Sequence, residues 1–509
     1  MKKFTQMLMV AMVATTGTTY AQYAGDAIRF SNGNYGSSAR FKGMGNAQIG
    51  VGGDMSSLGG NPAGLGLFTR SEFSFTPEFN SAGSKSDFLG NRTNDSGNKL
   101  NVNQAGVVWY NPTYRIQGEN TNKGVLSTVF GIGFNRNADF TQHYTYGGDN
   151  TANSMRNYFA ELANGSKNQQ GDLAAKSLEN YAFEDYLINF GTPGNANTYT
   201  SDGINGASQV KKQISSGGTS ELNFSGALNI SNQLYIGATI GMVNARYTSD
   251  AEFTENGVIN SYNGTPANGP VGFAGNENYS SVYTQNQETK ASGVNGRLGM
   301  IFRPAGNFRI GATFQTPTWL YVEDIYAENL YTTLSGERLP SRNALNYSYN
   351  YRLKTPLKGS LGASYVIGGQ AILSADVDFI DYASTRFSQD GGGTPDQTIM
   401  DNNADIKRLY TSAVNYRVGG EYKLNNLSLR AGYGLNGSPL KDDTQNIFDT
   451  KYYSAGLGYR VNEYYIDLAY QRVESQDRVS PYSLNNGTEP VASLKNANNN
   501  VFLTFGIRF

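Results

Sequence analysis

Cysteine is absent from the 509 residues. Without it no disulfide, iron–sulfur cluster or thiolate zinc site can form. Long hydrophobic runs are missing as well. Charged or polar side chains interrupt every apolar stretch before the ~20 residues that a membrane helix needs. Histidine occurs once, as His143, and proline only 14 times. Excess charge is also lacking, because 40 Lys and Arg stand against 41 Asp and Glu. Nucleic acid is therefore not an expected partner, since phosphate binding needs a basic surplus.

The single apolar run lies at the start. Lys2 and Lys3 precede residues 7–14, and Thr19-Tyr20-Ala21 precedes Gln22. This is the order of a secretory signal peptide, predicted over residues 1–21 with cleavage after Ala21. The run is too short to be a spanning anchor. Export through the inner membrane follows from it.

What the chain has in abundance is glycine (61) and tyrosine (35). Both suit strands and tight turns in a polar, exported chain. Alternation of period two is clearest at the C-terminus. Val501, Leu503, Phe505, Ile507 and Phe509 alternate with Phe502, Thr504, Gly506 and Arg508. The same pattern runs through 234–242, 308–315, 427–435 and 453–461. A final amphipathic strand ending in Phe resembles the strand read by bacterial barrel-assembly machinery, which is an expected partner.

Connections separate a soluble sandwich from a membrane barrel. Tight turns are predicted at Ser231-Asn232, 304–307, Gly368-Gly369, Asn425-Asn426 and Asn462-Glu463. Long polar connections are predicted near 249–282, 327–344, 387–403, 438–449 and 476–498. Short turns alternating with long loops are the wiring of outer-membrane barrels, whose apolar face meets lipid. The fold class expected is all-β, a transmembrane antiparallel β-barrel over 71–509. Strands are predicted at 71–80, 100–111, 123–137, 216–230, 233–248, 283–303, 308–326, 345–367, 370–386, 404–423, 427–437, 450–461, 464–475 and 499–509. An even count of fourteen puts both termini on the periplasmic side. The longest external loop, 138–215, is predicted to be partly helical, over 154–162 and 172–187.

Residues 22–70 lack sustained alternation. They are rich in glycine yet carry Phe41, Met44, Ile49, Val51, Met55, Leu58, Leu65 and Leu67. A barrel of about fourteen strands is too wide for wall side chains to fill. This segment is the expected plug inside it. Gly36, Ser37, Ala39, Arg40, Gly43, Gly45, Ala47, Gly53 and Asp54, followed by NPAGL at 61–65, resemble the N-terminal hatch of the FadL-type outer-membrane channels. The resemblance is close over residues 30–80 and general elsewhere.

That resemblance implies passive uptake of hydrophobic molecules such as long-chain fatty acids or aromatic hydrocarbons. Capture would occur at the external loops, followed by a lumen pocket, hatch rearrangement and lateral release into the membrane. It implies a gate at Asn61, Pro62, Ala63 and Gly64, with Gly43, Gly45 and Asp54 in the hatch. It also implies an inward kink in the third strand, for which Gly131 and Gly133 are candidates.

Charges predicted to face the lumen include Arg297, Arg309, Arg417 and Arg430. They either bind a carboxylate head or pair within the lumen and hold the hatch. His143, placed in an external loop, has no strand-borne partner for haem. No catalytic constellation stands out, so neither an enzyme nor a cofactor or metal is expected. Two alternatives stay open at this stage. One is a surface-binding or structural barrel, including haem binding, and the other is a polar-solute porin.

Overall fold

The computed structural model describes residues 20–114, 120, 122–192, 195–201, 206–262 and 273–509. Residues 1–19 of the predicted signal peptide lie outside the described residues. The chain forms a closed antiparallel barrel of 14 strands. No helix among the described residues is long and apolar enough to cross a membrane.

The wall strands are β1 (Glu72–Phe88), β2 (Asn91–Pro112) and β3 (Val125–Asp139, continued by Gln142–Asn150). Next come β4 (Ala207–Ile230), β5 (Leu234–Tyr262) and β6 (Phe273–Ala305). β7 joins Phe308–Gln315 to Trp319–Leu334, and β8 joins Leu345–Lys354 to Lys358–Ile367. β9 joins Ala371–Asp381 to Arg386–Gln389. The last five are β10 (Ser412–Leu424), β11 (Leu427–Asn436), β12 (Thr450–Val461), β13 (Tyr464–Val479) and β14 (Ala492–Arg508). β14 closes on β1, with Phe73 opposite Ile507.

Alternation sets which face meets lipid. Leu429, Leu457 and Phe505 point outward, as do Ile236, Ile240, Phe314 and Leu361. Inward positions carry Thr239, Asn223, Asp376, Arg417 and Thr504, all buried. The tight turns have their stated cause, since Ser231, Asn232, Gly368, Gly369, Asn425 and Asn462 all adopt positive φ.

The strands run further than the sequence suggested. β1 and β2 continue to a turn at Leu89-Gly90, both of positive φ, whereas the predicted strands stopped at 80 and resumed at 100. β5 and β6 extend through most of 249–282, whose centre, 263–272, lies outside the described residues. The outward face of these upper stretches is polar because it rises beyond lipid, whereas Phe253, Ile259 and Tyr279 turn inward, so the lipid-facing alternation fades there. The predicted strand at 404 is a helix instead. Helix α5 (Gln397–Leu409), capped by Asp396, buries Ile399, Asn402 and Ile406 at helical spacing, and β10 begins only at Ser412.

Five helices are numbered in chain order. Helix α1 (Tyr20–Ser31) and the short α2 (Ala39–Gly43) belong to the N-terminal arm. Helices α3 (Met155–Ser166) and α4 (Leu178–Glu184) form a cap at the loop end. Their Phe159, Tyr181 and Phe183 pack with Phe253, Tyr283 and Leu330 of the wall and with Tyr482. Ser154 caps α3 and donates through Oγ to Glu255 at 2.6 Å.

Candidate functional site: the arm, the chamber and the wall gap

The N-terminal arm lies inside the barrel. Phe41, Met44, Ile49, Val51, Met55, Leu58 and Leu65 are all buried. A wide barrel needs such filling, and here the arm's backbone presses directly on the wall. Inner-face glycines make that approach possible. A Cβ at Gly299 would lie 2.0 Å from Asn61 Oδ1, one at Gly311 2.0 Å from the Ile49 carbonyl, and one at Gly419 2.1 Å from that of Met44. Gly237 faces Pro62, Gly432 faces Met44 and Gly45, and Gly456 faces Gly43.

Polar contacts fix the arm around the same circuit. The Ala39 amide donates to Thr504 Oγ1 of β14 at 2.8 Å. Arg40 pairs with Glu421 of β10 at 2.9 Å. The Gln48 and Ile49 amides donate to Asp376 of β9 at 2.6 and 2.9 Å. Ser364 of β8 donates to the Gly50 carbonyl, and Thr239 of β5 to that of Leu58. Asn103 Nδ2 of β2 also donates to the Ser37 carbonyl, so the arm touches strands from β2 to β14.

Each predicted hatch residue has a definite place. Asn61 caps the 3-10 turn Pro62–Leu67, accepting from the Ala63 amide at 3.1 Å. Its Nδ2 donates to the carbonyls of Ile49 and, on β6, Met300. Pro62 occupies the first position of that turn, where its missing N–H costs nothing. Ala63 packs with Tyr235 and Ile301. The Gly64 carbonyl accepts from the Gly53 amide at 2.9 Å. Asp54 caps the turn Met55–Leu58 and accepts from Ser38 Oγ at 2.8 Å. Gly45 adopts positive φ against the Tyr433 backbone.

Gly131 and Gly133 do not mark a kink. Both sit in regular register, opposite Val108 and Gly106, and face Leu58 of the arm. β3 shifts register against β4 at Val125–Ser127 and again further along, between Arg136 and Ala138. There β3 leaves β2, because the β2–β3 pairing ends at Gln104 and Asn135. Above that point β2 continues with β1 alone, while β3 continues with β4. The arm seats against the departing backbone, with the Asn34 amide donating to the Asn137 carbonyl at 2.9 Å. Side chains bridge the gap in place of a ladder. Asn101 Nδ2 donates to Asp139 at 2.9 Å, and Thr145 Oγ1 to Asp95 at 2.9 Å. His143 lies here, on β3 rather than in a loop, with its ring against Gly97.

Beside the gap is a cavity of about 500 Å³. The arm forms one side through Asn32, Asn34 and Lys42, and β3, β4, β13 and β14 contribute Asp139, Lys211, Gln471 and Asn498. Tyr247, Tyr410 and Tyr452 add aromatic surface to a lining rich in amides. Lys211 is only 2% exposed and has no hydrogen-bond or ion-pair partner among the described residues. Burial pulls the Lys42 ammonium down to about 8, with Glu78 opposing that shift. Helix α1 covers an apolar part of the lumen, where Ala27, Ile28 and Phe30 pack with Val243, Val322, Leu353 and Ile406.

The predicted lumen arginines are spoken for. Arg297 pairs with Glu221 at 2.7 Å, and Arg417 with Asp378 at 2.7 Å. Arg430 bridges Glu421 and Asp467 at 2.6 and 2.7 Å. Arg309 donates to the Val51 carbonyl of the arm at 2.7 Å. Sequence reasoning missed Lys211, because 138–215 had been read as loop. The periodic inner-face glycines were a readable signal of close backbone approach.

Residues 26–505 match the family described as outer membrane protein transport protein (OMPP1/FadL/TodX). No curated protein matches the chain. Among solved structures, a FadL homologue of Pseudomonas aeruginosa is 15% identical, with 93% of this chain and 98% of that one covered at a TM-score of 0.54. The P. putida toluene transporter TodX is also 15% identical, with 94% and 99% covered at a TM-score of 0.50. The match over nearly the whole length shows that this chain belongs to the FadL/TodX family of outer-membrane transport proteins.

Proposed function

We propose that the chain is a passive channel that takes hydrophobic molecules into the chamber and releases them sideways between β2 and β3. One observation carries this reading: the β2–β3 ladder stops at Gln104 and Asn135, directly beside the chamber. A molecule leaving there need not pass the arm, whose contacts run nearly all round the wall. That circuit argues against an open polar-solute pore. The arm acts as the hatch, and Asn61, Pro62 and Ala63 shape its bend. Residues 1–21 act as the cleaved signal, so sequencing of the mature protein should begin at Gln22.

The chamber suits an amphiphile with an acidic head better than a neutral hydrocarbon. A buried cation without a partner is costly, and an anionic head would relieve it. Lys211 is that cation. Long-chain fatty acids therefore fit better than aromatic hydrocarbons.

The test uses the natural absence of cysteine. A disulfide engineered as N101C/D139C should close the gap. Uptake of labelled oleate into cells should fall at least tenfold when oxidised and recover on reduction. Unchanged uptake with the bridge formed would remove the lateral route. Lys211→Gln should weaken oleate binding while sparing toluene. Equal effects on both would remove the acidic-head assignment and leave the lateral route standing.

A further inference from the structure

One side of the chamber is polar in a way that a plain hydrocarbon tail does not satisfy. β14 turns Asn496, Asn498 and Asn500 inward at alternate positions, and all three line the cavity. The strand register sets Asn500 between Asn80 of β1 and Gln471 of β13, so amides lie side by side across three strands. Asn498 lies between Ala82 and Val473, whose side chains have no hydrogen-bonding group.

The protein does not use these amides itself. The side chains of Asn80, Asn498 and Asn500 form no hydrogen bond among the described residues, although Asn80 and Asn500 are only 2% and 8% exposed. Other asparagines of the same chamber are spent within the protein. Asn103 donates to the Ser37 carbonyl, Asn137 to Glu221 at 2.8 Å, and Asn496 to Asp477 at 2.6 Å. A buried amide left without partners is costly. Water hydrates such groups in an empty chamber, and a ligand that displaces it must restore the lost bonds.

The row of Asn80, Asn498 and Asn500 is neutral. The carboxylates lining the chamber are engaged with other groups. Asp139 pairs with Arg136 at 2.8 Å, Asp477 accepts from Asn496 and Gln142, and Glu78 lies within electrostatic reach of Lys42. A hydroxyl both donates and accepts, so it uses both halves of an amide, whereas an ionised acid only accepts.

We propose that this row recognises a hydroxyl near the acid head of the ligand, so that the chamber selects hydroxylated fatty acids over plain ones. The proposal rests on the chamber being the ligand site. The hydroxyl belongs near the head because the row and Lys211 line one cavity, while the tail needs apolar surface. A plain acid of equal length would cover the amides with methylene and leave them unpaired, which is how a polar site rejects an analogue that lacks its hydroxyl.

The experiment measures displacement of labelled oleate from the full-length barrel in phosphatidylcholine nanodiscs, with empty nanodiscs as the reference for partitioning. The competitors are 3-hydroxymyristate and myristate. The intact barrel should prefer the hydroxy acid at least tenfold. Asn498→Leu should remove most of that preference, whereas Asn498→Gln, which keeps the amide, should retain it. The position is partly exposed, and the heat-modifiable gel mobility of each variant reports that the barrel is folded. Equal displacement by the two acids from the intact barrel overturns the hydroxyl assignment, as does a preference that survives Asn498→Leu. Failure of oleate to bind the intact barrel above the empty nanodisc would remove the chamber reading itself, and the assignment with it.

Discussion

At Gly299 the distance between arm and wall is too short for any side chain. A Cβ there would lie 2.0 Å from Asn61 Oδ1, so Gly299→Val forces the arm's cap away from β6. Overpacking of this kind costs about 1–3 kcal/mol. The wall should stay folded, because its ladder does not run through the arm. The expected outcome is faster proteolysis within 39–66 with unchanged barrel mobility on a gel, and equal digestion rates would refute it. Asp26 gives a pH-dependent counterpart in α1. Burial lifts its carboxyl to about 7, opposed by its pair with Arg29 and the Gln287 hydrogen bond, while Asp324 adds to the rise. A carboxyl whose pKa is raised in the docked state binds its proton more tightly there than when free, near 3.9. Docking of α1 is then strongest in acid, weakens as pH rises from about 4 to about 7, and levels off above. Hydrogen exchange at residues 26–31, corrected for intrinsic rates, should show more opening at pH 8 than at pH 5. Asp26→Asn should flatten that difference.

Among the elements, outward positions at the lipid zone have the plainest energetics. Leu457 on β12 and Phe505 on β14 are 49% and 46% exposed and face lipid. Arginine at either should cost ~2–4 kcal/mol in a bilayer folding titration, and a neutral result at both would put the register off by one residue. This much was legible in the sequence, because one buried face fixes strand alternation and turn residues fix the ends. Asn425, Asn462 and Gly368-Gly369 mark their hairpins for the same reason they form them. The rest was hidden for physical causes. The upper halves of β5 and β6 rise above lipid and lose the apolar signal, so 249–282 read as loop. Helix α5 is amphipathic, but the polar Asn402 interrupts the buried stripe of Ile399 and Ile406, which leaves its apolar signal weak. The β3 irregularity depends on where the β2 partner stops, which no local pattern records. Of the site, the Asn61 cap and the arm's apolar residues could be read locally. Lys211 could not, because its isolation follows from which acids the closed barrel leaves out of reach.

Across the whole molecule, the arm's near-complete circuit gives the strongest forecast. Deleting residues 30–66 should leave a folded barrel whose conductance in planar bilayers is well above that of the intact chain. A deletion variant that conducts no better would mean that the cap at the loop end, and not the arm, seals the barrel. The circuit also bears on chronology. Ala39, near the start of the chain, completes its hydrogen bond only with Thr504, near its end. Contacts of such long sequence separation form late, since closing the intervening chain has a large entropic cost. The first segment to be made is therefore the last to be finished, and it can settle only in a cylinder whose final seam, β14 on β1, has been sewn. A protected arm is then a sign that the barrel has closed. Any truncation of β14 should be visible first as digestion of the opposite end of the chain.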